Sequence, residues 1–86
     1  MADLSEQTRD QLPDHDFAYL DAHGGRHLPI HDEAHVRNAV VRFAQTHFEG
    51  ALARREAAQR IVHAAERFGV TLSPGDAVSE AAAAIE

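Results

Sequence analysis

Four histidines recur at every fourth position of the chain, and the imidazole side chain is a common ligand of transition metals. A carboxylate, Asp32, lies within the same stretch. Two imidazoles one helical turn apart can share a zinc ion, and a carboxylate can complete the ligand set. The series consists of His23, His27, His31 and His35.

Glycine and proline interrupt this series, so the four histidines cannot share one continuous helix. Only His31 and His35 are expected to be one turn apart, with His31 just outside the helix start. Two interpretations stay open. The favoured one treats His31 and His35 as partly exposed polar residues near a helix N-terminus. The alternative is a metal site formed by His27, His31 and His35, with Asp32 as a further ligand.

A polar stripe along the same predicted helix is a second candidate site. His31, His35, Asn38 and Arg42 fall within one sector of a helical wheel. Arginine and asparagine can hold a carboxylate, a phosphate or a partner's backbone. The stripe is also what the solvated face of an amphipathic helix looks like. We therefore treat these four residues as a candidate interaction surface.

Composition excludes several classes of function. The net charge is −6, and acidic residues interrupt the arginines of the second helix, so binding to nucleic acid is not expected. The chain has no cysteine. It carries no phosphate loop, nucleophile elbow or dinucleotide fingerprint, so we expect neither enzymatic activity nor a bound cofactor. The absence of a long apolar run predicts no membrane span, and we expect a cytoplasmic protein.

Local signals predict a small α+β fold in which a β-hairpin packs on two antiparallel helices. Residues 17–20 and 27–30 are the predicted strands, joined by a turn with two glycines. Asp32 is the predicted N-cap of the first helix, whose buried stripe includes His47. The second helix is predicted over residues 51–68, with Gly69 as its stop.

The predicted organisation is a single domain with two flanking segments. Residues 1–11 form an N-terminal segment with a short helical turn capped by Ser5. Residues 12–70 form the domain. Residues 71–86 are an acidic tail, flexible or weakly helical unless it docks, because isolated short helices are marginal in water. Ser73 is the predicted N-cap of any helix there.

The central stretch resembles a known family of small domains. The residues that carry the resemblance are Leu12-Pro13-Asp14, Phe17-Ala18-Tyr19, the run from Arg26 to Asp32, the run from Ala34 to Ala39, and Arg42-Phe43. They are similar to a family of unknown function from actinobacteria and their phages. Some members of that family are linked to phage head-maturation proteases. The resemblance implies a phage-related accessory role and supplies no catalytic residues.

The sequence thus favours a non-catalytic protein-interaction module, with self-association as a homodimer one form it could take. Its motivation is a thin core and the apolar side chains of Ala34 and Val41 on the outer side of the first helix. A metal-binding domain is the second hypothesis. A nucleic-acid-associated accessory protein is the third.

Overall fold

A computed structural model describes residues 12–84, and it has the predicted helix-dominated α+β architecture. A short 3-10 turn precedes the hairpin. The helical turn predicted at Ser5 lies outside the described residues. The elements, in chain order, are the 3-10 turn Asp14–Asp16, strands β1 (Phe17–Leu20) and β2 (Arg26–Pro29), and helices α1 (Glu33–Phe43), α2 (Ala51–Phe68) and α3 (Ala77–Ala83).

The two strands form an antiparallel hairpin, with Phe17 opposite Pro29 and Tyr19 opposite His27. β1 has the predicted bounds, whereas β2 starts and ends one residue earlier than predicted. In the turn, the Asp21 carboxylate accepts hydrogen bonds from the backbone N–H groups of His23 and Gly25. A Cβ at Gly25 would overlap that carboxylate and displace it from these hydrogen bonds.

The core lies where the hairpin and the three helices meet. Its largest fully buried side chains are Phe17, Val36, Phe43, Ile61 and Val78. The stripe predicted for α1 is buried at Val36, Ala39 and Phe43, but the prediction for His47 is wrong. α1 ends at Phe43, so His47 falls in the following loop and is exposed.

Helix α2 has the predicted bounds, and small side chains on its inner face allow close packing. Ala57, Ala58 and Ala65 are buried beside Ile61. Gly69 ends the helix in the left-handed conformation (φ 72°) and donates its N–H to the carbonyl of Ala65. Within residues 12–84, no helix is both long enough and apolar enough to cross a membrane.

The segment predicted to be flexible unless docked contains α3, and α3 docks. Val78 is fully buried and Ala81 nearly so, both in the same core cluster as Ile61 of α2. The predicted cap, Ser73, is not the one used. Asp76 adopts extended backbone geometry, and its carboxylate accepts from the N–H of Val78. Packing thus supplies the stability that so short a helix lacks alone.

Asp32 is the N-cap of α1, as predicted. Its backbone is extended (φ −152°, ψ 173°), and its Oδ1 accepts from the backbone N–H of His35 at 2.8 Å. We expect Asp32→Ala to lower the free energy of unfolding by about 1 kcal/mol, because that N–H loses its partner. Asp32→Asn should stay close to wild type, since asparagine caps as well as aspartate. Urea unfolding of both variants measures this, and equal stability of the alanine variant and wild type would contradict the capping role.

Leu28 of β2 has a backbone conformation that favours glycine. Its φ is +60°, yet its side chain is buried. Such positions store roughly 1–3 kcal/mol of strain. Glycine normally destabilises by roughly 0.5–1 kcal/mol relative to alanine. Here we expect Leu28→Gly to be at least as stable as Leu28→Ala in urea unfolding, because only glycine relieves the strain. A clearly less stable glycine variant would show that the backbone is relaxed.

Candidate functional site

The candidate site lies at the junction between the hairpin and α1. Ile30, just after β2, is buried and anchors the chain on the core. The chain then passes through His31 and Asp32 before α1 begins at Glu33. His35 follows in the first turn. Asp32 caps the helix in an extended conformation, and its carboxylate contacts both His31 and His35.

The three side chains contact one another closely. Asp32 Oδ1 lies 2.8 Å from His35 Nδ1, in addition to its bond from the His35 backbone N–H. Asp32 Oδ2 lies 3.4 Å from His31 Nε2. The two imidazole rings overlap, with centroids 4.4 Å apart and planes tilted by 32°. One carboxylate therefore faces one nitrogen of each ring.

The other nitrogen of each ring is buried and has no hydrogen-bond partner in residues 12–84. These atoms are His31 Nδ1 and His35 Nε2. The His31 side chain is 20% exposed and that of His35 only 8%. Buried polar atoms are nearly always paired in folded proteins. Two such imidazole nitrogens in one cluster can each take a further partner, either a water molecule or a cation.

The Asp32 carboxylate is held in its ionised form. Burial raises its pKa, but N–H donation from the backbone and ring of His35, with the nearby His31 ring, together outweigh burial, and the pKa lies below its ordinary value. A carboxylate beside two imidazoles is the ligand chemistry of zinc and its neighbours in the first transition row. One donor atom from each of His31, Asp32 and His35 lies within 4.8 Å of the others.

The structure divides both sets of residues that the sequence grouped. Of the predicted metal ligands, His31, Asp32 and His35 come together. His27 lies apart from them, on strand β2 of the hairpin. Of the predicted interaction surface, Asn38 and Arg42 are exposed, but His35 is buried. The expectation of a partly exposed His35 is wrong: its side chain is only 8% exposed, and its ring lies against that of His31.

His27 instead belongs to a second polar group, which includes long-range contacts that sequence reasoning missed. Its Nε2 lies 2.8 Å from Asp21 Oδ2, and its ring stacks on Tyr19. The Tyr19 hydroxyl accepts from the backbone N–H of Glu49, whose carboxylate accepts from the N–H of Ala22. This group ties the hairpin turn to the loop between α1 and α2. For the hairpin turn itself, the local sequence signal is Asp21 followed by Gly25 four residues later.

Asp21 makes the hairpin sensitive to acid. Hydrogen bonding from His27, then from the backbone N–H of Gly25, places the pKa of Asp21 below its ordinary value. A depressed folded-state pKa gives stability that is present above the unfolded pKa of about 3.9 and is lost as the pH falls through the lowered value. We expect urea unfolding to show this loss in wild type and a smaller one in Asp21→Asn, which cannot titrate. Parallel pH profiles would contradict it.

Comparison with known proteins places the chain in a family. A family model matches residues 2–75, which include the hairpin, α1, α2 and the whole His31–Asp32–His35 cluster. The chain belongs to DUF6582, a family of unknown function. The DUF6582 match ends before α3. No curated protein and no solved structure matches the chain.

Proposed function

We propose that this DUF6582 chain is a small metal-binding domain whose site is formed by His31, Asp32 and His35. The observation that carries the proposal is the pair of buried imidazole nitrogens, His31 Nδ1 and His35 Nε2, which lack hydrogen-bond partners among the described residues. A bound cation gives both lone pairs a partner. The adjacent carboxylate supplies compensating negative charge.

The donor types select the kind of ion. Imidazole suits zinc, copper and nickel, whereas magnesium and calcium prefer sets of oxygen ligands. The chain has no cysteine, so thiolates play no part. Zinc sites with three or fewer protein ligands keep a position for water or another molecule. Zinc(II) is therefore the probe of choice, with magnesium as the contrast.

Calorimetric titration of the full chain with zinc chloride tests the proposal. We expect one zinc ion per chain, no heat with magnesium, and loss of zinc binding in His31→Ala. His63→Ala is the matched control, because His63 is an exposed histidine of α2 outside the cluster. Zinc binding that is absent from wild type, or that weakens equally in both variants, refutes the site.

A specific feature also favours the protein-interaction module as a second candidate. Val41 is 71% exposed on the outer side of α1, where Ala34 and Asn38 are exposed as well. This role is non-catalytic, and a second copy of the chain is the partner we propose. An accessory role linked to phage proteins belongs with this candidate.

Photo-crosslinking from position 41 tests self-association. A photoreactive residue there should join two purified chains, whereas the same residue at exposed position 56 of α2 should not. If both positions give only monomeric products, the proposed homodimer is refuted.

A further inference from the structure

We propose that Asp32 is a positioning residue that orients the two imidazoles, and that the atoms which bind zinc are His35 Nε2 and His31 Nδ1. This inference rests on the proposed metal-binding function and specifies its ligand atoms. It differs from a ligand set of two histidines and one aspartate, in which the carboxylate itself would bind the ion.

The His35 contacts fix which of its nitrogens is available. Asp32 Oδ1 lies 2.8 Å from His35 Nδ1, and an ionised carboxylate only accepts hydrogen bonds. His35 Nδ1 therefore carries the proton. In a neutral imidazole the other nitrogen, Nε2, then has a lone pair. That nitrogen is the one that is buried without a hydrogen-bond partner in the described part of the chain.

The contacts of His31 likewise distinguish a nitrogen that carries the proton from a nitrogen that has a lone pair. Its Nε2 faces Asp32 Oδ2 at 3.4 Å, so the proton is favoured on that nitrogen. Nδ1 is then the lone-pair atom, and it is the second buried nitrogen that has no partner within residues 12–84. The carboxylate thus faces one nitrogen of each ring, and the other nitrogen of each ring keeps a lone pair without a hydrogen-bond partner in residues 12–84.

Oδ1 of Asp32 has little freedom to ligate an ion. It already accepts two hydrogen bonds from His35, one of which is the cap of α1. Moving Oδ1 toward a metal would break that cap. Metal-bound histidines commonly donate their other ring N–H to a carboxylate, which fixes the ring orientation. Asp32 is placed to do this for two rings at once.

Long-range nitrogen–proton correlation spectra of the full ¹⁵N-labelled chain test the assignment. Without metal, we expect the proton on His35 Nδ1 and on His31 Nε2. At one equivalent of zinc, the nitrogen shifts of His35 Nε2 and His31 Nδ1 should move, and those of His63 should not. Zinc that shifts the opposite nitrogens overturns this inference and leaves metal binding intact. Zinc that shifts no imidazole nitrogen overturns both.

A variant that keeps the helix cap provides a second test of the positioning role of Asp32. Asp32→Asn retains a capping oxygen but loses the charge that holds the ring protons. We expect its zinc affinity to fall about 10–100-fold, with zinc still on the same two nitrogens. Glu33→Gln, which removes a neighbouring exposed charge, is the control and should bind as wild type does. Unchanged zinc affinity in Asp32→Asn overturns the positioning role.

Discussion

Replacing Val78 by aspartate should release α3 from the domain while the hairpin, α1 and α2 remain folded. The Val78 side chain is fully buried in a cluster of apolar side chains, and a carboxylate there would be a buried charge among them. Burial of a valine side chain contributes about 1.5–3 kcal/mol. A helix of this length is unstable once undocked. Amide hydrogen exchange should therefore accelerate over residues 77–83 and change little in α1.

A matched variant separates docking from the added charge. Ala83→Asp places the same carboxylate on an exposed position of α3. It should leave exchange over residues 77–83 close to wild type. If Val78→Asp keeps wild-type protection in α3, the helix is held by something other than this contact. If the whole domain unfolds instead, α3 is an integral part of the core.

Short-range signals predicted most of the fold. The Asp32 cap, the Gly69 stop and the hairpin turn each depend on a few neighbouring residues, and the structure confirms all three. Docking of α3 depends on the space between side chains of α2, which no local pattern reveals. The cap of α3 is Asp76 and not Ser73, and its carboxylate accepts from the N–H of Val78.

The site was predictable in part. Spacing along one helical turn placed His31 and His35 together, and it brought in Asp32 because the cap residue lies between them. The helical wheel did not predict the burial of His35, because a wheel assigns burial by direction alone and takes no account of the contact with the His31 ring. The prediction that groups His27 with these residues failed for another reason. Its partner, Asp21, is across the hairpin turn, and sequence spacing does not report such pairs.

Asp32 connects the fold with the site. The same oxygen that caps α1 also accepts from the His35 ring. Any ion held by the two imidazoles therefore acts on the junction where β2 enters α1. Because that junction does not exist in the unfolded chain, metal binding at this position must favour the folded state.

Zinc should consequently raise the thermal unfolding midpoint of the full chain. A ligand that binds only the folded state stabilises it by about 2.7 kcal/mol at one hundred times its dissociation constant. In a domain of this size, 1 kcal/mol shifts the midpoint by roughly 4–8 °C. We therefore expect a rise of about 10–20 °C at that zinc concentration and a smaller rise at lower concentrations. Circular dichroism during heating measures it.

The variants decide whether the rise comes from this site. His31→Ala should lose the zinc-dependent rise, because one of the two ligating nitrogens is gone, while His63→Ala should keep it. Magnesium should give no rise in any of the three proteins, since imidazole nitrogen is a poor ligand for it. An equal rise in wild type and His31→Ala would mean that zinc stabilises the fold from somewhere other than the junction of β2 and α1.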